Sequence, residues 1–210
     1  MSTTDVITAA ADDLASRVKA TQVRVPDDAP LIWNAAVHHH PALIMQAESP
    51  RDVREAIRVA RDHGLPLSVL GGGHDWAGRA VRDGGLVIDM SGMRSAAVDP
   101  GARVATVGGG LVASELIDAV ARYGLVAATG NCGGVGMTGL TLGGGYGPLN
   151  GRFGALPWTT CSAPKLCWRM AESSQPTRLG SQSCSGHCVV VAATLEWSLR
   201  CVCGCIRWIG

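Results

Sequence analysis

Apolar residues recur at helical spacing over residues 8–20, where Ala11, Leu14, Ala15 and Val18 share one side and predict a short helix. A loop rich in Asp and Pro follows over residues 25–30, and residues 42–46 (Ala-Leu-Ile-Met-Gln) read as a short apolar strand. The next helix opens at Ser49-Pro50-Arg51-Asp52, with Ser49 as N-cap and Pro50 in the first turn. Its inward face is Val53, Ala56, Ile57 and Ala60, and Gly64 ends it. A strand over residues 66–70 completes a β-α-β unit of about 30 residues, the normal size of a right-handed crossover. Residues 86–90 and 104–107 predict further strands, and residues 111–123 predict an amphipathic helix closed by Gly124.

Composition narrows the class. The chain has 210 residues, and 18 basic against 17 acidic side chains leave a net charge of +1, so no global basic field points to nucleic acid. No apolar run approaches the ~20 residues that span a bilayer. Residues 1–18 carry Asp5, Asp12 and Asp13 without a continuous apolar stretch, so no secretory leader and a cytoplasmic location are expected. The totals also conceal a break. Seven of eight Cys (161, 167, 184, 188, 201, 203, 205) and four of six Trp (158, 168, 197, 208) lie beyond Gly154, whereas 24 of 28 Gly lie at or before it. Two compositions share one chain, and each is read separately.

Two glycine clusters carry candidate chemistry. The first, Gly71-Gly72-Gly73-His74-Asp75-Trp76-Ala77-Gly78, directly follows the strand ending at Leu70. Glycines there admit positive φ and bring backbone N–H groups close to a ligand, which suits a diphosphate; a plain tight turn is the alternative. The cluster departs from the Rossmann fingerprint, because no helix is expected to start at Asp75. The second runs from Gly130-Asn131-Cys132-Gly133-Gly134-Val135-Gly136-Met137 through Gly139 and Thr141 to Gly143-Gly144-Gly145-Tyr146-Gly147. Its glycine density predicts neither ordinary helix nor strand, but backbone wrapped around something flat or anionic. The run His38-His39-His40 reads as a solvated loop rather than a metal site, since consecutive side chains diverge and Pro41 ends it.

On these residues the chain resembles the N-terminal FAD-binding domain of the vanillyl-alcohol-oxidase superfamily, the PCMH-type fold, and within it the berberine-bridge-enzyme-like flavin oxidases. The similarity rests on Ile32-Trp33-Asn34, the strand–helix–strand leading into Gly71-Gly72-Gly73-His74, Val87-Ile88-Asp89-Met90-Ser91, and residues 139–154 with Arg152-Phe153-Gly154. It implies an α+β class, two small α/β subdomains clasping FAD, and a small-molecule substrate held by a separate C-terminal domain. By resemblance, Gly71, Gly72, Gly73, Asp75 and Gly78 line the diphosphate. His74 takes the position that bonds the flavin 8α-carbon, where neutral imidazole is a competent nucleophile. Cys132 falls where some members bond flavin C6 through a thiolate, which clustered backbone N–H groups would stabilise. Gly133 departs from those members, which often carry Pro there. Gly133, Val135, Gly136, Gly139, Thr141 and Gly144 are implied as further FAD contacts.

Residues 1–28 read as a helix and linker, 29–154 as a partial FAD-binding domain, and 155–210 as a separate tail. The tail's cysteines, Cys184 and Cys188 around His187 and then Cys201-Val202-Cys203-Gly204-Cys205, fit paired zinc knuckles poorly. A disulfide framework conflicts with the expected compartment. The genetic code offers a third explanation. Joining each codon's third base to the first two of the next, Trp158-Thr159 forces Asp and permits Asn-Leu-Leu after it. Cys167 to Glu172 permits Leu-Ala-Asp-Gly-Arg, with Leu forced by Cys167-Trp168 and Gly forced by Met170-Ala171. Residues 183–198 permit Leu-Phe-Trp-Ala-Leu-Arg-Gly-Gly-Gly-Gly-Asn-Phe-Gly-Val-Val. These are the family's next motifs in order, so the tail is expected to be a frameshifted translation without regular structure after about Phe153, and the substrate domain and catalytic base to lie outside the chain. Three readings stand: an FAD-linked oxidase truncated at the shift, a non-catalytic nucleotide-binding remnant, and a zinc-binding tail with its own partner. Sequencing the gene around codon 154 is expected to find one base missing or extra; an uninterrupted frame in this strain and its close relatives overturns the frameshift.

Overall fold

Ser2 and Asp5 set where the chain first becomes regular. The Ser2 hydroxyl accepts from the Asp5 amide and the Asp5 carboxylate accepts from the Ser2 amide, a capping box that starts helix α1 at Thr3–Arg17. The helix begins five residues before apolar spacing predicts, because its first turn is specified by polar capping. The computed structural model describes residues 2–28, 32–149, 165–166 and 198–207. It divides into a unit over residues 1–93 and a unit over residues 94–210.

In the first unit, a 3-10 turn at Ala20–Gln22 leads to β1 (Val23–Arg24), which pairs antiparallel with β2 (Leu43–Gln46). Ser49 caps α2 (Pro50–Asp62) reciprocally with Asp52, as the Ser-Pro pattern predicts, and Gly64 follows at φ +66°. Val53, Ala56 and Ala60 are buried as expected, but Val59 is fully buried where Ile57 is only half-buried. The neighbouring helix explains the exchange. Glu55, Val59 and His63 form one column of α2, and α1 lies along it: Arg17 reaches Glu55 at 3.6 Å and Asp13 meets His63 Nε2 at 3.1 Å.

Strands β3 (Leu67–Leu70) and β4 (Leu86–Asp89) complete a sheet of order β1-β2-β4-β3 in which β4 runs parallel to both neighbours. The β2-α2-β3 crossover therefore steps over one strand position, which β4 fills. Leu43, Ile44 and Met45 of β2 and Leu86, Val87 and Ile88 of β4 are all buried, the continuous apolar run expected of inner parallel strands.

In the second unit β5 (Ala96–Asp99) and β6 (Val104–Gly108) form an antiparallel pair. Helix α3 (Ala113–Ala121) is shorter than the predicted 111–123, and Gly124 at φ +66° turns the chain into β7 (Leu125–Ala127). Ala105, Val107, Leu111, Leu116, Val120 and Leu125 form the core, with Met137 and Leu140. These last two belong to α4 (Met137–Gly143), inside the cluster expected to form no helix. Met137, Leu140 and Thr141 make one buried stripe, while a β-carbon at Gly139 or Gly143 would meet nothing. Glycine costs a helix about 1 kcal/mol per residue. Burying Met and Leu returns roughly 1.5–3 kcal/mol each, so packing outweighs propensity.

Two strands, β8 (Lys165–Leu166) and β9 (Ser198–Arg207), fall in the segment expected to lack regular structure; the other residues of that segment, including Arg152-Phe153-Gly154, Cys161, Cys167, Cys184 and Cys188, lie outside the described residues. The sheet order is β5-β6-β9-β7, and β9 is antiparallel to β6 and β7, with β8 also pairing with it. The register sets Cys201 opposite Val107, Cys203 opposite Ala105 and Cys205 opposite Ala127. Among the described residues no helix is long and apolar enough to cross a membrane.

The polar interior of the first unit is organised by Asp52, which is 8% exposed. Its Oδ2 accepts from Gln22 Nε2 at 3.1 Å and from the amides of Glu48 and Ser49 at 3.0 and 2.9 Å. Burial pushes this carboxyl upward, but the hydrogen bonds from Gln22, Glu48 and Ser49 outweigh it and hold it below its ordinary value of 3.8. Asp52→Ala leaves three donors short of a partner and is expected to cost about 1–3 kcal/mol in urea denaturation at neutral pH. The folded carboxyl titrates below the unfolded one, so this contribution is fully present above about pH 5. It is lost as pH falls through the depressed folded value, where wild type and variant should converge; a gap that widens on acidification refutes the assignment.

Candidate functional site

The first glycine segment leaves the end of β3 as two bends at Gly71 and Gly72, and Gly73 is buried at φ +70°. Residues 32–37 hold it in place. The Trp33 amide donates to Gly73 O at 2.9 Å, and Asn34 Nδ2 donates to Trp76 O at 2.7 Å. Two further turns follow, with the Gly78 amide donating to Asp75 O at 2.9 Å and the Val81 amide to Gly78 O at 3.0 Å. No helix starts at Asp75, as the sequence indicates. Asp75 instead spends its carboxylate on this turn: Oδ2 accepts from the Arg79 amide at 2.6 Å and from Arg79 Nε at 3.3 Å. Gly78, at φ +68°, packs against Val37 so closely that a β-carbon would collide with it. His74 is half-buried, and the Trp33 indole stacks on its imidazole with ring centroids 6.1 Å apart and planes 25° apart.

The second segment is stitched to the N-terminus of α3. The amides of Ser114, Ala113 and Met137 donate to Gly133 O, Val135 O and Leu111 O at 3.0, 2.9 and 2.9 Å, and Gly136 bridges Val112. Thr138 Oγ1 donates to Gly109 O at 2.9 Å. Cys132, which is exposed, starts a turn in which its carbonyl accepts from the Val135 amide at 3.3 Å. Gly144 follows α4 at φ +79°, and Gly147 lies where a β-carbon would overlap Thr129 O.

Whether these segments suit a flavin dinucleotide can be judged from what each unit leaves unsatisfied. Among the described residues, two buried hydroxyls have no hydrogen-bond partner: Ser68 Oγ on β3, just before Gly71, and Thr141 Oγ1 on α4. Buried hydroxyls are normally paired, so each marks a place where a polar ligand atom fits. At Gly71 and Gly139 an added β-carbon would meet no atom of the described residues within 4 Å, so their packing does not demand glycine there. Each unit thus combines open glycine backbone with a buried hydroxyl left unpaired, donors of the kind a diphosphate or a polar ring edge takes, and the residues present fit FAD.

Among the described residues, no group of three or more His, Cys, Asp or Glu side chains is arranged to hold a metal ion. In the histidine run, the His40 amide and His39 Nδ1 both engage Asp83, at 2.6 and 3.1 Å. The hydrogen bond from the His40 amide, with that from His39, holds the Asp83 carboxyl below its ordinary range. Sequence reasoning missed Ser68, because a single serine within an apolar strand carries no signal. It also passed over Gly108-Gly109-Gly110, a buried glycine triple that starts on the last residue of β6 and carries the same signal as Gly71–Gly73.

Residues 41–163 match the FAD binding domain family. The chain is 38% identical over 138 residues to (R)-6-hydroxynicotine oxidase of Paenarthrobacter nicotinovorans, a match covering 63% of this chain and 30% of that enzyme. It is 32% identical over 155 residues to an FAD-linked oxidoreductase of Bacillus subtilis, covering 73% of this chain and 34% of that protein. The crystal structure of 6-hydroxy-D-nicotine oxidase from Arthrobacter nicotinovorans superposes with a TM-score of 0.77 at 28% identity, covering 88% of this chain and 42% of that one. The chain thus spans about a third of the length of the curated relatives it matches. With its α+β units, its two glycine-rich segments and its match over residues 41–163, the chain belongs to the FAD binding domain family shared by FAD-linked oxidoreductases.

Proposed function

We propose that this chain is the flavin-carrying part of an FAD-linked oxidase and that His74 bears the flavin covalently. The observation that carries this reading is the placement of a half-buried imidazole at the end of a parallel strand, inside a glycine loop whose backbone is fixed on both sides of it. Ligands of parallel α/β sheets bind beyond the carboxyl ends of the strands. When bound, FAD supplies the acceptor for a hydride from a substrate carbon. The chain's own residues bind and orient it. Gly71, Gly72 and Gly73 offer amides to the diphosphate, Asp75 and Gly78 hold the loop's shape, and Gly133, Val135, Gly136, Gly139, Thr141 and Gly144 are further candidate flavin contacts. Ser68 and Thr141 donate or accept through their buried hydroxyls. Cys132 is exposed, which supports its assignment as a second attachment point.

Linkage at His74 balances as follows. One C–H bond at the flavin 8α-carbon and one imidazole N–H are exchanged for a C–N bond, and the two hydrogens with their electrons reduce dioxygen to hydrogen peroxide. Dioxygen is likewise the proposed acceptor in turnover. The substrate is a small amine, alcohol or sugar; the name of the nicotine oxidase relative favours an amine.

Expression of the full chain with FAD, followed by acid precipitation, tests the tether. A yellow pellet is expected whose colour survives in Cys132→Ala and disappears in the His74→Ala/Cys132→Ala double variant. A colourless pellet from protein that binds FAD in solution overturns the covalent assignment but keeps the flavin site. Protein without flavin but with stoichiometric zinc would replace the whole reading with the metal-binding tail.

A further inference from the structure

Trp33 is 60% exposed, yet its position is closely determined. Its amide is bound to Gly73 O, the next residue's side chain is bound to Trp76 O, and its indole lies over His74. Asn34 Oδ1 also accepts from the Ala36 amide at 3.1 Å, so the turn that carries the indole is itself braced. The backbone ties fall on residues 73 and 76, either side of His74, and they fix where the imidazole is rooted. They leave its two side-chain torsions to be set by what the ring touches. A large aromatic ring that contributes little to the core, but stacks on a nucleophile, is placed for orientation rather than for stability.

We infer that Trp33 is a positioning residue for His74, restricting the imidazole to the orientation from which its ring nitrogen reaches the flavin 8α-carbon. The inference rests on the reading that His74 carries the flavin. Trp33 takes no part in the bond changes themselves: the C–H and N–H bonds lost, the C–N bond formed and the peroxide released are the same with or without it. Its contribution is to raise the fraction of time the imidazole spends aligned. An offset aromatic stack of this kind corresponds to about a threefold to tenfold slower linkage when it is removed.

Two measurements on the full 210-residue chain test this. In the absence of FAD, the His74 ring protons, assigned by their loss in His74→Ala, are expected to show a ring-current shift. That shift should vanish in Trp33→Ala and be largely restored in Trp33→Phe. With FAD added under air and samples quenched in acid, all in a Cys132→Ala background, Trp33→Ala should accumulate acid-stable flavin three- to tenfold more slowly than the chain with Trp33 intact, with Trp33→Phe restoring the rate. Total FAD bound before quenching should stay the same, and circular dichroism should report an unchanged fold. Wild-type linkage rate in Trp33→Ala overturns the role of Trp33 and leaves the His74 tether standing. Absence of acid-stable flavin from Cys132→Ala, or its persistence in the His74→Ala/Cys132→Ala double variant, removes the tether and the role of Trp33 with it. A slow Trp33→Ala whose rate Trp33→Phe fails to restore, or whose His74 resonances match wild type, also overturns stacking as the cause.

Discussion

Gly85 is the node from which the first unit is laid out. Its carbonyl accepts from the amides of Ala42 and Leu43 at 2.8 and 3.1 Å, and the following amide, Leu86 N, donates to Pro66 O at 2.7 Å. A β-carbon at Gly85 would press on that same Pro66 carbonyl, so the three chain segments converge with only backbone between them. From this point Leu43, Leu86 and Leu67 stand level, and the strands run in step for four residues to Gln46, Asp89 and Leu70. Everything after those residues emerges at one edge of the sheet. The segment that begins at Gly71 is delivered there by register alone.

Glycine richness has more than one cause in this chain, and both kinds of position occur within each glycine segment. At Gly78 and Gly147 the protein's own atoms fill the place of a β-carbon: Val37 in one case and the Thr129 carbonyl in the other. Side chains there would force the loops off the structure they pack on. At Gly71 and Gly139 no atom of the described residues comes within 4 Å of an added β-carbon. Those two positions, together with the hydroxyls of Ser68 and Thr141, are ones whose residue type the chain's own packing does not explain. The flavin assignment therefore draws more from a few open positions than from the count of glycines.

The second unit shows the same priority of packing over local preference. Strands β6 and β7 both lie against β9, so a chain segment between them is part of the architecture. Any segment without proline can supply the main-chain hydrogen bonds of such a strand. The register places Cys201, Cys203 and Cys205 opposite Val107, Ala105 and Ala127. Serving as a strand at this position is thus compatible with either reading frame's origin for residues 198–207.

Local signals were legible wherever one residue type had one physical use. Ser49 before Pro50 marked a helix start, Gly64 and Gly124 marked helix ends, and the run at 86–90 marked a strand. What stayed illegible depended on a neighbour that sequence does not place. Val59 outranks Ile57 because α1 lies over its column, α4 forms because Leu111 and Leu116 await Met137 and Leu140, and β4 enters between β2 and β3 although it follows both. The site divides the same way. The triple Gly71-Gly72-Gly73 before His74 announces a loop built for close approach, since few other uses exist for three consecutive glycines after a strand. The indole that stacks on that histidine comes from a turn preceding β2, and no periodicity links the two. A loop's capacity to bend is written locally, whereas the ring that stacks on its histidine is brought there by a long-range contact that holds the loop down.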